Sequence, residues 1–315
     1  MYRRTKKAPV NGAFFVIIMH PERGFIMTSH ILICTDGSEY SEGAVREGLL
    51  LAKRQQAKVT ALTVIDFNAE FDALAPNLLE KMEEEAADHV RKVKTLAEKE
   101  GISCKAMVVR SETPYLSIAE EASTRAADLI VMGRRGRTGL KRLLIGSVAK
   151  RTIGHAPCNV LVIPRKAVLT CRTILVATDG SKFSEAAATE AVAMAKNCGA
   201  GLVVVTAVHA ESTAPLDIVS SNMQKDMIAG REMAAAENNV KFVKELAEKA
   251  NVAVSTLIYA GSPADVIIHA AEEKKADLIV VGSHGRTGID RLLLGSVAER
   301  VIGTAGCATL IVKSR

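Results

Sequence analysis

The sequence predicts an α/β protein made of two copies of one unit, each a five-stranded parallel sheet with helices on both faces. Three observations carry this. Short apolar runs such as Ile31-Leu-Ile-Cys34 and Leu129-Ile-Val-Met132 alternate with longer segments whose apolar residues recur every three or four positions; this is the pattern of strands buried on both faces and joined by crossover helices. Landmarks also recur at one offset: Gly133 and Gly282, Gly146 and Gly295, Pro114 and Pro263, and Cys158 and Cys307 are each 149 residues apart. Finally, 315 residues with 48% hydrophobic and 24% charged content suit two domains with substantial cores. A repeat of this length is a duplicated domain rather than a solenoid unit. Asp36 and Asp179 are only 143 apart, so the second copy carries six extra residues between its first strand and Pro263.

In the first copy, Ile31 to Thr35 reads as a strand ending in Asp36-Gly37-Ser38. Ser41 to Gln55 has helical spacing, with Ala44, Leu49 and Ala52 toward the core, and Val59 to Ile65 is a second strand. Leu79, Met82, Ala86, Val90, Val93 and Ala97 then mark a long amphipathic helix. Ala106 to Val109 is a third strand, and Pro114 opens a helix over Tyr115 to Arg125. Asp128 to Met132 is a fourth strand, Val148 to Ile153 a helix, and Asn159 to Ile163 a fifth strand. The second copy retraces this order: strand Thr173–Thr178, a helix from Ser184, strand Leu202–Val205 and a long helix reaching Lys249. Strand Val252–Tyr259, a helix after Pro263, the strand at Leu278 and strand Ala308–Val312 complete it. The units are thus residues 28–164 and 172–315, joined by a linker at 165–171.

Residues 1–27 stand apart as an N-terminal extension. Arg3-Arg4-Thr5-Lys6-Lys7 followed by Ala13 to Met19 has a faint export-signal character, but the apolar core is short and no small-residue cleavage site follows it. The favoured reading is an extension that is disordered or not native, with Met27 as the start. No apolar run approaches the roughly 18 residues of a membrane span, and the net charge of +6 with 3% aromatics does not argue for nucleic acid. The six cysteines contain no C-x-x-C pair, and most fall in or beside strands; buried reduced thiols in a cytoplasmic protein are the expectation.

The chemistry concentrates in one stretch and its copy. Gly133-Arg-Arg-Gly136, nine residues, then Gly146-Ser147 recurs as Gly282-Ser-His-Gly285, nine residues, then Gly295-Ser296. Each follows a buried strand and runs into a helix. Glycines let backbone N–H groups approach an anion, and a helix N-terminus adds free donors and a favourable dipole. Ser147 and Ser296 sit where a hydroxyl caps the helix or reaches a phosphate. The other reading is a tight strand-to-helix turn with a serine cap and no ligand.

This doubled spacing resembles the ATP-binding signature of the universal stress protein family, over about residues 28 to 315. The resemblance implies strand order 3-2-1-4-5 in each unit, which places Asp36 across one crevice from the Gly133 loop, and Asp179 across another from the Gly282 loop. It further implies that ATP, alone or with Mg²⁺, is held by Asp36, Val64, Met132, Gly133, Arg135, Gly136, Gly146, Ser147 and Val148. In the second unit the corresponding set is Asp179, Val208, Val281, Gly282, His284, Gly285, Gly295, Ser296 and Val297. Asp36 and Asp179 equally suit an Asx turn, and the two roles are compatible. The first loop departs from the family pattern: Arg134 and Arg135, with Arg137, Lys141 and Arg142, form a basic cluster where the second loop has Ser283-His284. His284 reads as a loop residue packing by the ligand rather than as a base.

Other nucleotide motifs fail. There is no G-x-x-x-x-G-K-[ST], and the glycine stretch is not G-x-G-x-x-G and follows the fourth strand rather than the first. No attacking group with its base assembles, and no acidic cluster has metal-ligand spacing, so efficient catalysis is not indicated; the resemblance implies a nucleotide-responsive regulatory module in stress tolerance with at most slow ATP hydrolysis. The alternatives are an enzyme of the adenine-nucleotide hydrolase group, for which Thr35-Asp-Gly-Ser38 lacks the S-G-G-x-D-S signature, and an interaction protein with vestigial sites. In the 3-2-1-4-5 order the fifth strands are apolar edges that need covering. The two units are therefore expected to pair through those strands as a pseudo-dimer, with a homodimer of chains as a further arrangement.

Overall fold

The computed structural model describes residues 28–67, 76–136, 145–208, 220–286 and 294–314. The first repeat runs β1 (His30–Cys34), α1 (Glu42–Gln55), β2 (Lys58–Asp66), α2 (Pro76–Lys99), β3 (Cys104–Ser111), α3 (Pro114–Thr124), β4 (Leu129–Gly133), α4 (Ser147–His155) and β5 (Asn159–Ile163). The second runs β6 (Thr173–Ala177), α5 (Lys182–Cys198), β7 (Gly201–Val208), α6 (Ser220–Lys249), β8 (Val254–Ala260), α7 (Pro263–Glu273), β9 (Leu278–Gly282), α8 (Ser296–Thr304) and β10 (Ala308–Val312).

All ten strands join one sheet in the order β3-β2-β1-β4-β5-β10-β9-β6-β7-β8. Each repeat is parallel throughout, and the two meet where β5 runs antiparallel to β10, with Leu161 opposite Leu310 and Val162 opposite Thr309. The apolar fifth-strand edges thus cover one another. Alternate residues of every strand serve opposite faces. Ile31, Ile33, Val59 and Ala61 pack with α1 and α2, whereas Leu32, Cys34 and Leu62 pack with α3 and α4; each core layer continues into the second repeat.

Local chemistry sets the helix ends. α1 has Glu42 in its first turn and Lys53 and Arg54 in its last, complementing the helix dipole, and it stops at Gln56 in the left-handed region (φ +55°). α5 is capped by Ser181, whose hydroxyl accepts from Ser184 N at 3.2 Å, and stops at Gly199 (φ +67°). Pro114 and Pro263 open α3 and α7.

The expected third strand, Ala106–Val109, extends over Cys104–Ser111. It lies at the sheet edge, with Lys105 and Arg110 exposed near its two ends, so its apolar run is shorter than its ladder with β2. The segment after β5 is not a free tether: Ala167, Leu169 and Cys171 are buried against α1. Buried Glu47 accepts from Leu169 N at 2.9 Å, and Arg46 donates to Ala167 O at 2.6 Å. The extension at 1–27, with Met27, lies outside the described residues. Among those described, no helix is long and apolar enough to cross a membrane.

Candidate functional site

β1 and β4 are neighbours, yet the connection from β1 enters α1 on one face and that from β4 enters α4 on the other. Their carboxyl ends therefore part to form a crevice, and β6 and β9 do the same in the second repeat. On one wall Asp36 closes an Asx turn: Ser38 donates its N–H and hydroxyl to Asp36 Oδ1 at 3.0 and 2.7 Å. Ser181 N donates likewise to Asp179 Oδ1 at 2.9 Å. Gly37 and Gly180 have φ of +73° and +75°, and His89 of α2 and Asn239 of α6 fill the space a side chain there would need. Behind the turn the hydroxyls of Thr35 and Ser41 lie 2.9 Å apart, and those of Thr178 and Ser184 3.3 Å apart.

The facing wall is the glycine loop. A Cβ on Gly136 or Gly285 would lie 2.9 Å from Oδ2 of Asp36 or Asp179, so glycine is what lets the loop lie against the carboxylate. A Cβ on Gly133 would meet Tyr40 O at 2.6 Å, and one on Gly282 the Phe183 backbone at 2.8 Å. The loop closes through Gly146 N to Arg134 O at 2.9 Å and Gly295 N to Ser283 O at 3.0 Å. Gly146 and Gly295 are the N-caps, so Ser147 and Ser296 are first helical residues and do not cap, correcting that reading. The first intrahelical bonds are Lys150 N to Gly146 O and Glu299 N to Gly295 O. The preceding N–H groups, of Ser147, Val148 and Ala149 and of Ser296, Val297 and Ala298, have no acceptor within their helix and lie at the positive end of its dipole.

Between these walls lie cavities of about 360 Å³ in the first repeat and about 200 Å³ in the second. The first is lined by all nine positions expected there: Asp36, Val64, Met132, Gly133, Arg135, Gly136, Gly146, Ser147 and Val148. The second is lined by Asp179, Val281, Gly282, His284, Gly285, Gly295, Ser296 and Val297. Val208 is the exception, because the wall there is Ala207. Thr35 N donates to Leu62 O and Thr178 N to Val205 O, which fixes an offset of 143 through β7 and matches Val64 with Ala207. The six extra residues come later, and a slip of one residue turns a strand side chain to the opposite face. Pro114 and Ile118, with Pro263 and Ile267, complete the apolar sides. Sequence reasoning missed them as site residues, as it missed Thr35 and Ser41; the same pairs recurring at 178 and 184 were the available signal.

The universal stress protein family model matches residues 27–164 and again 170–313. The chain belongs to the universal stress protein family. Its tandem form is shared with the universal stress protein Rv2005c of Mycobacterium tuberculosis, 27% identical over 304 residues that span 90% of this chain and 96% of that one. The universal stress protein MJ0531 of Methanocaldococcus jannaschii is 39% identical over 142 residues, 45% of this chain and 82% of its own. The crystal structure of a universal stress protein from Archaeoglobus fulgidus shares the fold, with a TM-score of 0.67 at 22% identity over 91% of this chain and 98% of that one.

Charge within this universal stress protein's clefts is set by local partners. Burial opposes ionisation of Asp179, but donation from Ser181, Ser184 and Arg286 outweighs it and holds the carboxyl below its usual range. Arg286 N donates to Asp179 Oδ2 at 3.1 Å, and Arg286 Nε to Asp179 O at 2.6 Å. His284 rests against Phe183 with ring centroids 5.1 Å apart and shares a hydrogen bond with Ser283 Oγ at 3.0 Å. The basic cluster of the first loop divides. Arg134 turns away and donates to Ile302 O and Ala305 O at 3.4 and 2.9 Å, capping the C-terminal end of α8 in the other repeat. Arg135 lines the cavity, and its Nε is buried with no hydrogen-bond partner among the described residues. Arg137, Lys141 and Arg142 lie outside the described residues. Among those described, no group of His, Cys, Asp and Glu is placed to hold a metal ion.

Proposed function

We propose that both clefts bind an adenine nucleotide, ATP in the first instance, and that the chain is a nucleotide-responsive regulatory module in stress tolerance with at most slow hydrolysis. The observation that carries this reading is the twofold occurrence of one arrangement: a carboxylate facing a glycine loop and a helix N-terminus across an apolar-sided cavity. A ligand suited to it has an anionic end for the helix N–H groups, a flat apolar body and donors for the carboxylate. A nucleoside phosphate has all three. Arg135 Nε, buried with no partner among the described residues, adds a donor on the loop side that an anion would satisfy.

In this reading Asp36 and Asp179 accept from base or ribose, Val64 and Met132 or Ala207 and Val281 flank the base, and Gly136, Gly146, Ser147 and Val148 or Gly285, Gly295, Ser296 and Val297 take the phosphates. Residues 28–164 and 172–315 are then two nucleotide domains of one unit. Equilibrium dialysis with labelled ATP, with ADP, AMP and inorganic triphosphate as competitors, tests the assignment. ATP should bind at roughly micromolar to tens of micromolar concentration and be displaced better by ADP than by triphosphate. Displacement by triphosphate alone would mean a general anion site and would overturn the adenine assignment.

A further inference from the structure

Away from the clefts, two of the six cysteines are neighbours. Cys171 ends the segment that joins the repeats, Cys198 ends α5, and the two stretches meet where Gly201 N donates to Arg172 O at 2.9 Å and Thr173 pairs with Gly201. The fold itself makes these positions meet. Their counterparts in the first repeat are Thr28 and Gln55, and there Thr28 N donates to Gln55 Oε1 at 3.2 Å. The same carboxylate braces both places: Asp128 accepts from Ser29 N and His30 N at 2.8 and 3.1 Å, and Asp277 from Cys171 N and Arg172 N at 3.0 and 2.9 Å. The meeting thus belongs to the unit, and the second repeat places a thiol on each side of it.

The two thiols differ in access. Cys198 is exposed and Cys171 is buried. Arg54, from the last turn of α1 in the other repeat, holds Nη1 3.9 Å from Cys171 Sγ and 3.4 Å from Leu169 O. The neighbouring Cys171 thiol lowers the Cys198 pKa to about 7, with Arg54 adding to this and burial and Asp277 opposing it. The Cys198 thiol and burial push Cys171 the other way. An accessible sulfur with thiolate character beside a shielded thiol is the arrangement of a reacting and a resolving cysteine.

We propose that Cys171 and Cys198 form a hydroperoxide-responsive dithiol, with Cys198 reacting first and Cys171 resolving. The Cys198 thiolate attacks a peroxide oxygen, the O–O bond breaks, and the alcohol or water leaves with the thiol proton, giving Cys198 sulfenic acid. The Cys171 sulfur then attacks the Cys198 sulfur, the S–O bond breaks, and hydroxide leaves as water with the Cys171 proton. Two thiols lose two electrons and two protons, and one hydroperoxide is reduced. The new bond ties the residue before Arg172 to the end of α5, across the base of β6, whose far end leads to Asp179.

The test is hydrogen peroxide added to the reduced full-length protein, followed by thiol counting in denaturant and peptide mass mapping. The titratable thiols should fall from six to four, with peptides containing Cys171 and Cys198 joined in one chain and dithiothreitol restoring all of them. Cys198→Ser should lose no thiol to a disulfide and keep Cys171 alkylatable. Cys171→Ser should leave Cys198 as a sulfenic acid that dimedone traps. A link between chains, a stable sulfenic acid in the parent, or unchanged thiol loss in Cys198→Ser would each overturn the proposal. Should Cys171→Ser fail to fold, the parent and the surface variant Cys198→Ser decide it.

Discussion

Arg134 and Arg135 are adjacent in sequence and serve different ends. One guanidinium caps a helix of the other repeat, and the other stays in the cleft with Nε unpartnered among the described residues. Only Arg135 should therefore affect the ligand. In a Gly295→Val background, which isolates the first cleft, Arg135→Ala should weaken ATP by roughly tenfold or more, the scale of a lost hydrogen bond to a charged group. It should also flatten the salt dependence of binding. Titration at low and high ionic strength checks both, and an unchanged affinity would remove Arg135 from the site. His30 gives a second prediction at this scale. Its Nδ1 donates to Arg125 O at 3.0 Å and its Nε2 accepts from Thr60 Oγ1 at 2.9 Å, while burial is the largest cause holding its pKa below the ordinary value of 6.5. The unfolded chain therefore takes up this proton at higher pH than the folded one. The stability His30 contributes is complete above about pH 6.5 and is lost as pH falls toward the lower folded value. Chemical denaturation at pH 7.5 and 5.5 should show that loss, and His30→Asn should shrink it.

Among the elements, β5 and β10 have the most to carry, because their antiparallel ladder is where the two repeats join edge to edge. Val162 and Ile311 are 1% and 0% exposed. Val162→Asp should cost about 3–5 kcal/mol, the scale of an uncompensated buried charge, and Ile311→Asp a similar amount. Thermal unfolding and sedimentation would report it, and parental stability in both variants would mean that the seam does not hold the repeats together. The central strands were plain in the sequence because both of their faces are apolar. The ends of β3 were not, since Lys105, Arg110 and Ser111 belong to an edge whose outward residues read as loop. The glycine spacing gave the loop, but not which residue caps the helix: Ser147 looked the better cap by residue type, yet the extended backbone falls at Gly146 (φ −68°, ψ 146°).

Across the whole molecule, two clefts share one sheet, one pair of core layers and a linker pinned by Arg46 and Glu47. Much of the coupling between repeats was illegible in the sequence because it depends on single long side chains. Arg134 reaches the end of α8, Lys313 reaches Ile153 O and Gly154 O at 2.9 and 3.1 Å, and Lys150 pairs with Glu299 at 2.6 Å. Val208 shows the opposite limit: it lies 144 residues after Val64, whereas the repeat keeps its offset of 143 through β7 and takes up its six extra residues only afterwards. The functional account stands on both clefts being nucleotide seats. Gly146 and Gly295 have extended backbones open to any residue, so valine there places a side chain at the helix N-terminus without forcing a strained φ. The decisive measurement is ATP stoichiometry by calorimetry on the parent, Gly146→Val, Gly295→Val and the double variant. The account predicts two, one, one and none per chain; a parent that binds no ATP, or a double variant that still binds two, would contradict it.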